Sequence, residues 1–190
     1  MKIFTIIPAR GGSKRLKDKN IYPLKGKPLI NYTIEAALNS NLINKKHLYV
    51  STESEKISEV ALKNKKIKRI RRPDYLATDS VWTQPVIDDA IEIIELMGNR
   101  VDHEDIIVIL QANSPQITGE LIDICIEKLI QEKLWQVHTV DENLINNGAI
   151  QVMLKKVCKH KGKANYNGVV ITNLIDVHTI EDLNKVEKKL

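Results

Sequence analysis

Apolar residues recur along this chain with two different spacings. Short runs such as KIFTII (2–7), HLYVST (47–52) and DIIVIL (105–110) are β-branched and too brief for helices, so they read as buried strands. Between them lie stretches with helical spacing. In PLINYTIEAALNS (28–40), Leu29, Tyr32, Ile34, Ala36 and Ala37 share a face behind Pro28, which suits a first turn. A helix over 54–64 follows the second strand, and IKRI (67–70) reads as a short strand. TQPVIDDAIEIIELMG (83–98) predicts an amphipathic helix stopped at Gly98. Thr118 caps a helix reaching Lys133, with Leu121, Ile122, Ile124, Ile126, Leu129 and Ile130 as its buried positions. WQVHTV (135–140), GAIQVM (148–153) and GVVIT (168–172) are further strands, and Thr179 with Asp182 resembles a capping box for a terminal helix.

Strand–helix alternation of this kind predicts an α/β fold: a mostly parallel sheet with helices on both faces. Ligands of such sheets bind beyond the carboxyl ends of the strands, near the point where strand order reverses. The loops after Ile7, Thr52 and Leu110 are therefore where chemistry is expected. With 190 residues, no internal repeat and no low-complexity linker, a single domain over 1–190 is expected.

Charge sharpens the picture at one end. Residues 1–30 hold eight lysines and arginines against Asp18 alone, within a chain of net charge +5. That excess points to an anionic partner. Aromatics are only 4% of the chain, which disfavours a single-strand nucleic-acid reader and favours a small polyanion such as a nucleotide. Two cysteines with no CxxC pair argue against disulfide scaffolding and structural zinc. No apolar run is long enough to span a bilayer and no signal peptide is recognisable, so the expectation is a cytoplasmic protein with no membrane partner.

The basic residues cluster after the first strand, in Pro8-Ala9-Arg10-Gly11-Gly12-Ser13-Lys14 and then Lys19-Asn20. Adjacent glycines permit positive φ, so successive backbone N–H groups are expected to converge on an anion, with Arg10, Lys14 and Lys19 adding charge. The spacing is neither GxGxxG nor GxxxxGK[ST], and GGSK alone is equally a surface turn.

The whole phrase is more specific. PARGGSK, four residues, KN, and then PLKGKPLINYTIEAAL resembles the opening of the acylneuraminate cytidylyltransferases, the synthetases of CMP-activated sialic acid and related sugars. VSTESEKI (50–57), RPDYLATD (72–79), LQANSPQ (110–116), NNGAIQV (146–152) and IDVHTIEDL (175–183) are similar to later blocks of that family, in its order. The resemblance implies a Rossmann-like nucleotidyltransferase fold that transfers CMP from CTP to an acidic 2-keto sugar and releases pyrophosphate. It puts the backbone of Pro8 and Ala9 beside the cytosine, with Asn20, Arg72 and Thr83 nearby. Arg10, Gly12, Ser13, Lys14 and Lys19 would hold the triphosphate, Arg10 and Lys19 being catalytic. Gln111 and Ser114 would face the sugar, and Asp176 with His178 would hold Mg2+.

Three departures qualify that implication. His178 stands where the family has a second aspartate, and imidazole suits Mn2+ better than Mg2+. SPQI (114–117) lacks the family's arginine, which removes a charged anchor on the sugar side. Between VHTV and NNGAIQV the family carries a long projecting dimerisation element, of which only DENLI (141–145) stands here. A weak or altered homodimer is therefore expected, pairing through GAIQVMLKK (148–156), or else a monomer. The alternative to an active enzyme is a non-catalytic nucleotide- or partner-binding relative.

Overall fold

The computed structural model describes residues 1–158 and 166–190. In chain order the elements are β1 (Ile3–Pro8), β2 (Pro23–Leu24), β3 (Lys27–Pro28), α1 (Leu29–Asn39), β4 (Leu48–Thr52), α2 (Glu55–Leu62), β5 (Lys68–Arg71) and α3 (Thr83–Leu96). They continue as β6 (Ile106–Leu110), α4 (Gly119–Gln131), β7 (Gln136–Val140), β8 (Asn146–Leu154), α5 (Lys155–Cys158), β9 (Asn167–Ile171) and α6 (Ile180–Glu187). Seven strands form one sheet in the order β5-β4-β1-β6-β8-β7-β9, and β2 with β3 makes a separate small hairpin. The pairs β5–β4, β4–β1, β1–β6 and β7–β9 are parallel. Strand β8 runs antiparallel to both its neighbours, β6 and β7.

Each central strand divides its side chains between two cores. On β1, Ile7 faces the layer built by α1, α2 and α4, whereas Phe4 and Ile6 face Ile87, Ala90, Ile91 and Ile94 of α3. This alternation, with period two, is what a strand covered on both faces requires. The α4 stripe is narrower than expected. Ile122, Cys125, Ile126 and Leu129 are buried, but Ile124 and Ile130 are 43% and 42% exposed. At 100° per residue Ile124 falls opposite that stripe and Ile130 at its margin, so only one arc of the helix meets the sheet. Gly119 lets α4 start against the end of α1, where an added Cβ would lie 2.6 Å from the Asn39 carbonyl carbon. Asp123 clamps the same junction, accepting from the Ser40 hydroxyl and the Asn41 and Leu42 amides.

The strand predicted at 148–153 extends over nine residues, because β8 pairs along its length with β6 and β7. Of the stretch MLKKVCKHKGKANY that carries little strand signal, residues 159–165 lie outside the described residues. DENLI forms a closed turn. The Asp141 carboxylate accepts from the Asn143 and Ile145 amides at 2.9 and 2.8 Å, and the Asp141 amide donates to the Ile145 carbonyl at 2.9 Å. Cys125 and Cys158 are buried and unpaired, and burial pushes both thiols up to about 12. Among the described residues no helix is long and apolar enough to cross a membrane.

Candidate functional site

Pro8, Thr52 and Leu110 end β1, β4 and β6 on the same side, and strand order reverses between β1 and β6. A crevice opens there, as sheet topology demands. Two adjoining clefts occupy it. Pro8, Arg72, Thr83, Gln111 and Asn113 line the first, with Leu76, Thr78, Val81, Trp82 and Val86 along its wall. Lys14, Arg15, Asp79 and His178 line the second. Arg10, Ser13 and Lys19 face both. Ala9, Gly12, Asn20, Ser114 and Asp176 belong to the surrounding segments and line neither.

The loop after β1 is held differently from the glycine cradle expected. Neither Gly11 nor Gly12 adopts positive φ. The Gly11 amide donates to Glu53 Oε1 at 2.6 Å, and the Ser13 amide donates to the Gly11 carbonyl at 2.9 Å. Two of the amides expected to meet an anion are thus already engaged. Gly11 is needed for space instead, since an added Cβ would sit 2.9 Å from Ser54 Cβ at the start of α2. The Ala9 amide extends the sheet ladder to the Ser51 carbonyl at 2.9 Å, and buried Asn20 donates to the Arg10 carbonyl at 2.9 Å. Anion binding therefore falls to the side chains that this loop aims outward.

Beneath the loop, Arg72 is 4% exposed and donates to the Ser51 carbonyl at 2.8 Å. Burial draws its pKa down and the Glu53 carboxylate opposes the shift. Glu53 Oε2 and Asp89 Oδ2 are buried without hydrogen bonds, and the Arg72 charge partly compensates both. At the mouth, Asp79 pairs with Arg10 and, at 2.6 Å, with Lys14. Lys14 and then Arg10 hold the Asp79 carboxyl below the usual carboxylate range. A single exposed carboxylate thus bridges two loop cations and offsets one of their two charges.

The closing segment reaches the crevice from the far end of the chain. Asn113 Nδ2 donates to the Val177 carbonyl at 3.0 Å, and the Val177 amide donates to the Asn113 carbonyl at 2.9 Å. Gln116, which belongs to the divergent SPQI segment, accepts from the Ile175 amide at 3.0 Å. A complete capping box of Thr179 and Asp182 starts α6, whose Leu183 and Val186 pack with Leu16, Leu24 and Leu29 behind the loop. Ser114 is fully buried and its hydroxyl donates to Asp176 Oδ1. Burial pushes the Asp176 carboxyl up, against the pull of Ser114, His178 and Lys19. Burial likewise lowers Lys19, with Asp176 opposing.

Among the described residues there is no group of three or more His, Cys, Asp or Glu side chains fit to enclose a metal. Asp176 and His178 supply one carboxylate and one imidazole beside Lys19. Such a pair fits a divalent ion only when phosphate oxygens and water complete its shell, which is how Mg2+ is commonly held. The residues that sequence reasoning passed over are Glu53, Asp79, Arg15 and Trp82. Asp79 stood inside the quoted RPDYLATD block and Arg15 in the basic count, so both were visible without a stated role. Trp82, 83% exposed, carried no pattern at all.

A family model described as cytidylyltransferase matches residues 4–168. The chain belongs to the cytidylyltransferase family. This cytidylyltransferase-family chain is 39% identical over 133 residues to a pseudaminic acid cytidylyltransferase of Campylobacter jejuni, covering 70% of the chain and 55% of that protein. It is 39% identical over 127 residues to a CMP-N,N'-diacetyllegionaminic acid synthase of Legionella pneumophila, covering 67% of the chain and 53% of that protein. The chain thus spans about half the length of these relatives. Its fold is similar to that of a CMP:2-keto-3-deoxy-manno-octonic acid synthetase complexed with CTP, with TM-score 0.75 at 17% identity, covering all of this chain and 98% of the other. The nucleotidyltransferase-type, mostly parallel sheet expected from the sequence is the one observed.

Proposed function

We propose that the chain transfers CMP from CTP to the anomeric hydroxyl of an acidic 2-keto sugar, releasing pyrophosphate. One observation carries the reading: Arg10, Lys14 and Lys19 gather on a cleft that opens into a second, bounded by Pro8, Arg72, Thr83 and Gln111. The relatives named above act on sugars of this class. In this reading Pro8, Ala9, Arg72 and Thr83 flank the cytosine, and Asn20 fixes the loop that carries Arg10. Arg10, Ser13, Lys14 and Lys19 hold the triphosphate, and Gln111 faces the sugar. Ser114 acts through Asp176.

The sugar hydroxyl oxygen bonds to the α-phosphorus as the bond to the β-phosphate oxygen breaks, and the hydroxyl proton is released. Such a displacement needs alignment and charge neutralisation more than covalent help. Arg10 and Lys19 supply both. Lys19 is half-buried at the junction of the two clefts, so its ammonium is partly shielded from water where it meets developing negative charge. Asp176 and His178 would hold a divalent ion against the phosphates, and that ion would neutralise charge on the leaving pyrophosphate. Mg2+ fits the carboxylate, and Mn2+ tolerates the imidazole better.

The same reading makes the chain one cytoplasmic domain that lacks the family's dimerisation insert near 141–146. It meets neither nucleic acid nor membrane and forms at most a weak or altered homodimer, which light scattering at micromolar concentration would register. Incubation with CTP, Mg2+ or Mn2+, and a panel of sialic, pseudaminic, legionaminic and octulosonic acids should release pyrophosphate. Folded protein that stays silent across the panel refutes catalysis. The single carboxylate of the closing motif favours a second reading, a nucleotide-binding relative without turnover. Tight CTP binding with no product, and activity gained by His178→Asp, would identify it.

A further inference from the structure

The segment between buried Leu76 and the start of α3 borders both clefts of the crevice. Its Thr78, Val81 and Trp82 wall the first, and Asp79 lines the second. Its other polar contacts are local. The Ala77 amide donates to the Asp74 carbonyl, the Val81 amide donates to the Thr78 carbonyl, and the Thr78 and Ser80 hydroxyls meet at 3.1 Å. Among the described residues, only the ion pairs of Asp79 with Arg10 and Lys14 tie 74–81 by a polar contact to anything outside 73–81. Apart from the packing of Leu76 beneath it, the segment is held to the loop after β1 by one carboxylate.

We propose that residues 77–81 form a strap latched across the crevice by Asp79, an autoinhibitory contact that an anionic ligand must release. The inference rests on the nucleotide reading, in which Arg10 and Lys14 meet phosphate. A carboxylate and a phosphate oxygen compete for the same guanidinium and ammonium donors, and the more highly charged phosphate wins them. Once Asp79 is displaced, only the local turn restrains the strap, and the wall that carries Val81 and Trp82 is free to move. The latch is easily broken, because all three of its side chains are partly exposed to solvent. Its cost to affinity is the fraction of molecules in which it is closed.

Limited chymotrypsin digestion and calorimetry on the full chain test this together. Exposed Tyr75 and Trp82 flank the strap, and cleavage after either requires the segment to open. Wild type without ligand should be cut slowly there. Asp79→Asn without ligand, and wild type saturated with inorganic pyrophosphate, should be cut severalfold faster at those two sites and no faster elsewhere in the chain. Asp79→Asn should also bind pyrophosphate roughly fivefold tighter, since two exposed ion pairs no longer have to be broken. Tighter binding with unchanged cleavage would reduce the effect to charge alone and overturn the latch. Unchanged binding, or cleavage that quickens along the whole chain, overturns it too, and in each case the nucleotide site still stands. Wild type that binds neither CTP nor pyrophosphate overturns the site and this inference together.

Discussion

Gly11 and Gly12 are neighbours in the chain and opposites in their demands. Gly11→Ala would place a methyl 2.9 Å from Ser54 Cβ and 3.2 Å from Ser54 Oγ. Ser54 caps α2 by accepting from the Ile57 amide, so it cannot retreat freely. If the loop lifts instead, the Gly11 amide loses Glu53 Oε1 and a half-buried carboxylate loses its donor. Overpacking of this kind costs about 1–3 kcal/mol. At about 2–4 °C per kcal/mol for a chain of this size, the melting temperature should fall by roughly 2–12 °C. Gly12→Ala meets nothing within 4 Å and requires no positive φ. It should be neutral or stabilise by about 0.4–1 kcal/mol, through the unfolded chain. Denaturant melts of the two variants at one pH decide the matter. A silent Gly11→Ala, or a Gly12→Ala that is equally damaging, would refute the packing argument and revive a glycine cradle.

Lys19→Ala should lower turnover by about 10²–10³, or roughly 2.7–4 kcal/mol in the barrier, with unchanged circular dichroism. A loss under threefold would remove Lys19 from the chemistry. Asp79→Asn frees Arg10 and Lys14, so nucleotide binding should tighten severalfold; weaker binding would mean that Asp79 helps hold the ligand. Asp89 has its carboxyl raised by burial and by Glu92, only partly opposed by Arg72. The folded state therefore holds its proton longer, and the stability tied to that proton is lost as pH rises from the ordinary aspartate value through the folded one. Asp89→Asn should flatten that decline in urea melts, and a parallel pH profile for both proteins would contradict the assignment.

Runs of β-branched residues made β1, β4 and β6 legible, because a strand buried on both faces leaves no room for polar alternation. Thr179 and Asp182 announced α6 for an equally local reason, as both halves of the capping box lie within four residues. What stayed hidden depends on distant partners. Nothing in residues 146–154 says that β8 enters antiparallel between β6 and β7. Ile124 and Ile130 look as apolar as Ile122, and only the placement of the sheet decides which arc of α4 is covered. In the site, the motif identified the loop but not its bracing. Glu53 reaches across 42 positions to the Gly11 amide, and Ser114 reaches across 62 to Asp176. Asp79, visible in its block, acquired a role only once folding set it against Arg10 and Lys14.

The Asp141 turn has a consequence for tinkering with this molecule. Because the two stems of the β7–β8 ribbon are clasped at their own base, Asp141 to Ile145, foreign sequence grafted between Glu142 and Leu144 starts from ends already brought together. Each doubling in the length of such a graft adds only about 0.6 kcal/mol of closure entropy. A reporter peptide or a small folded cargo could be carried at that tip.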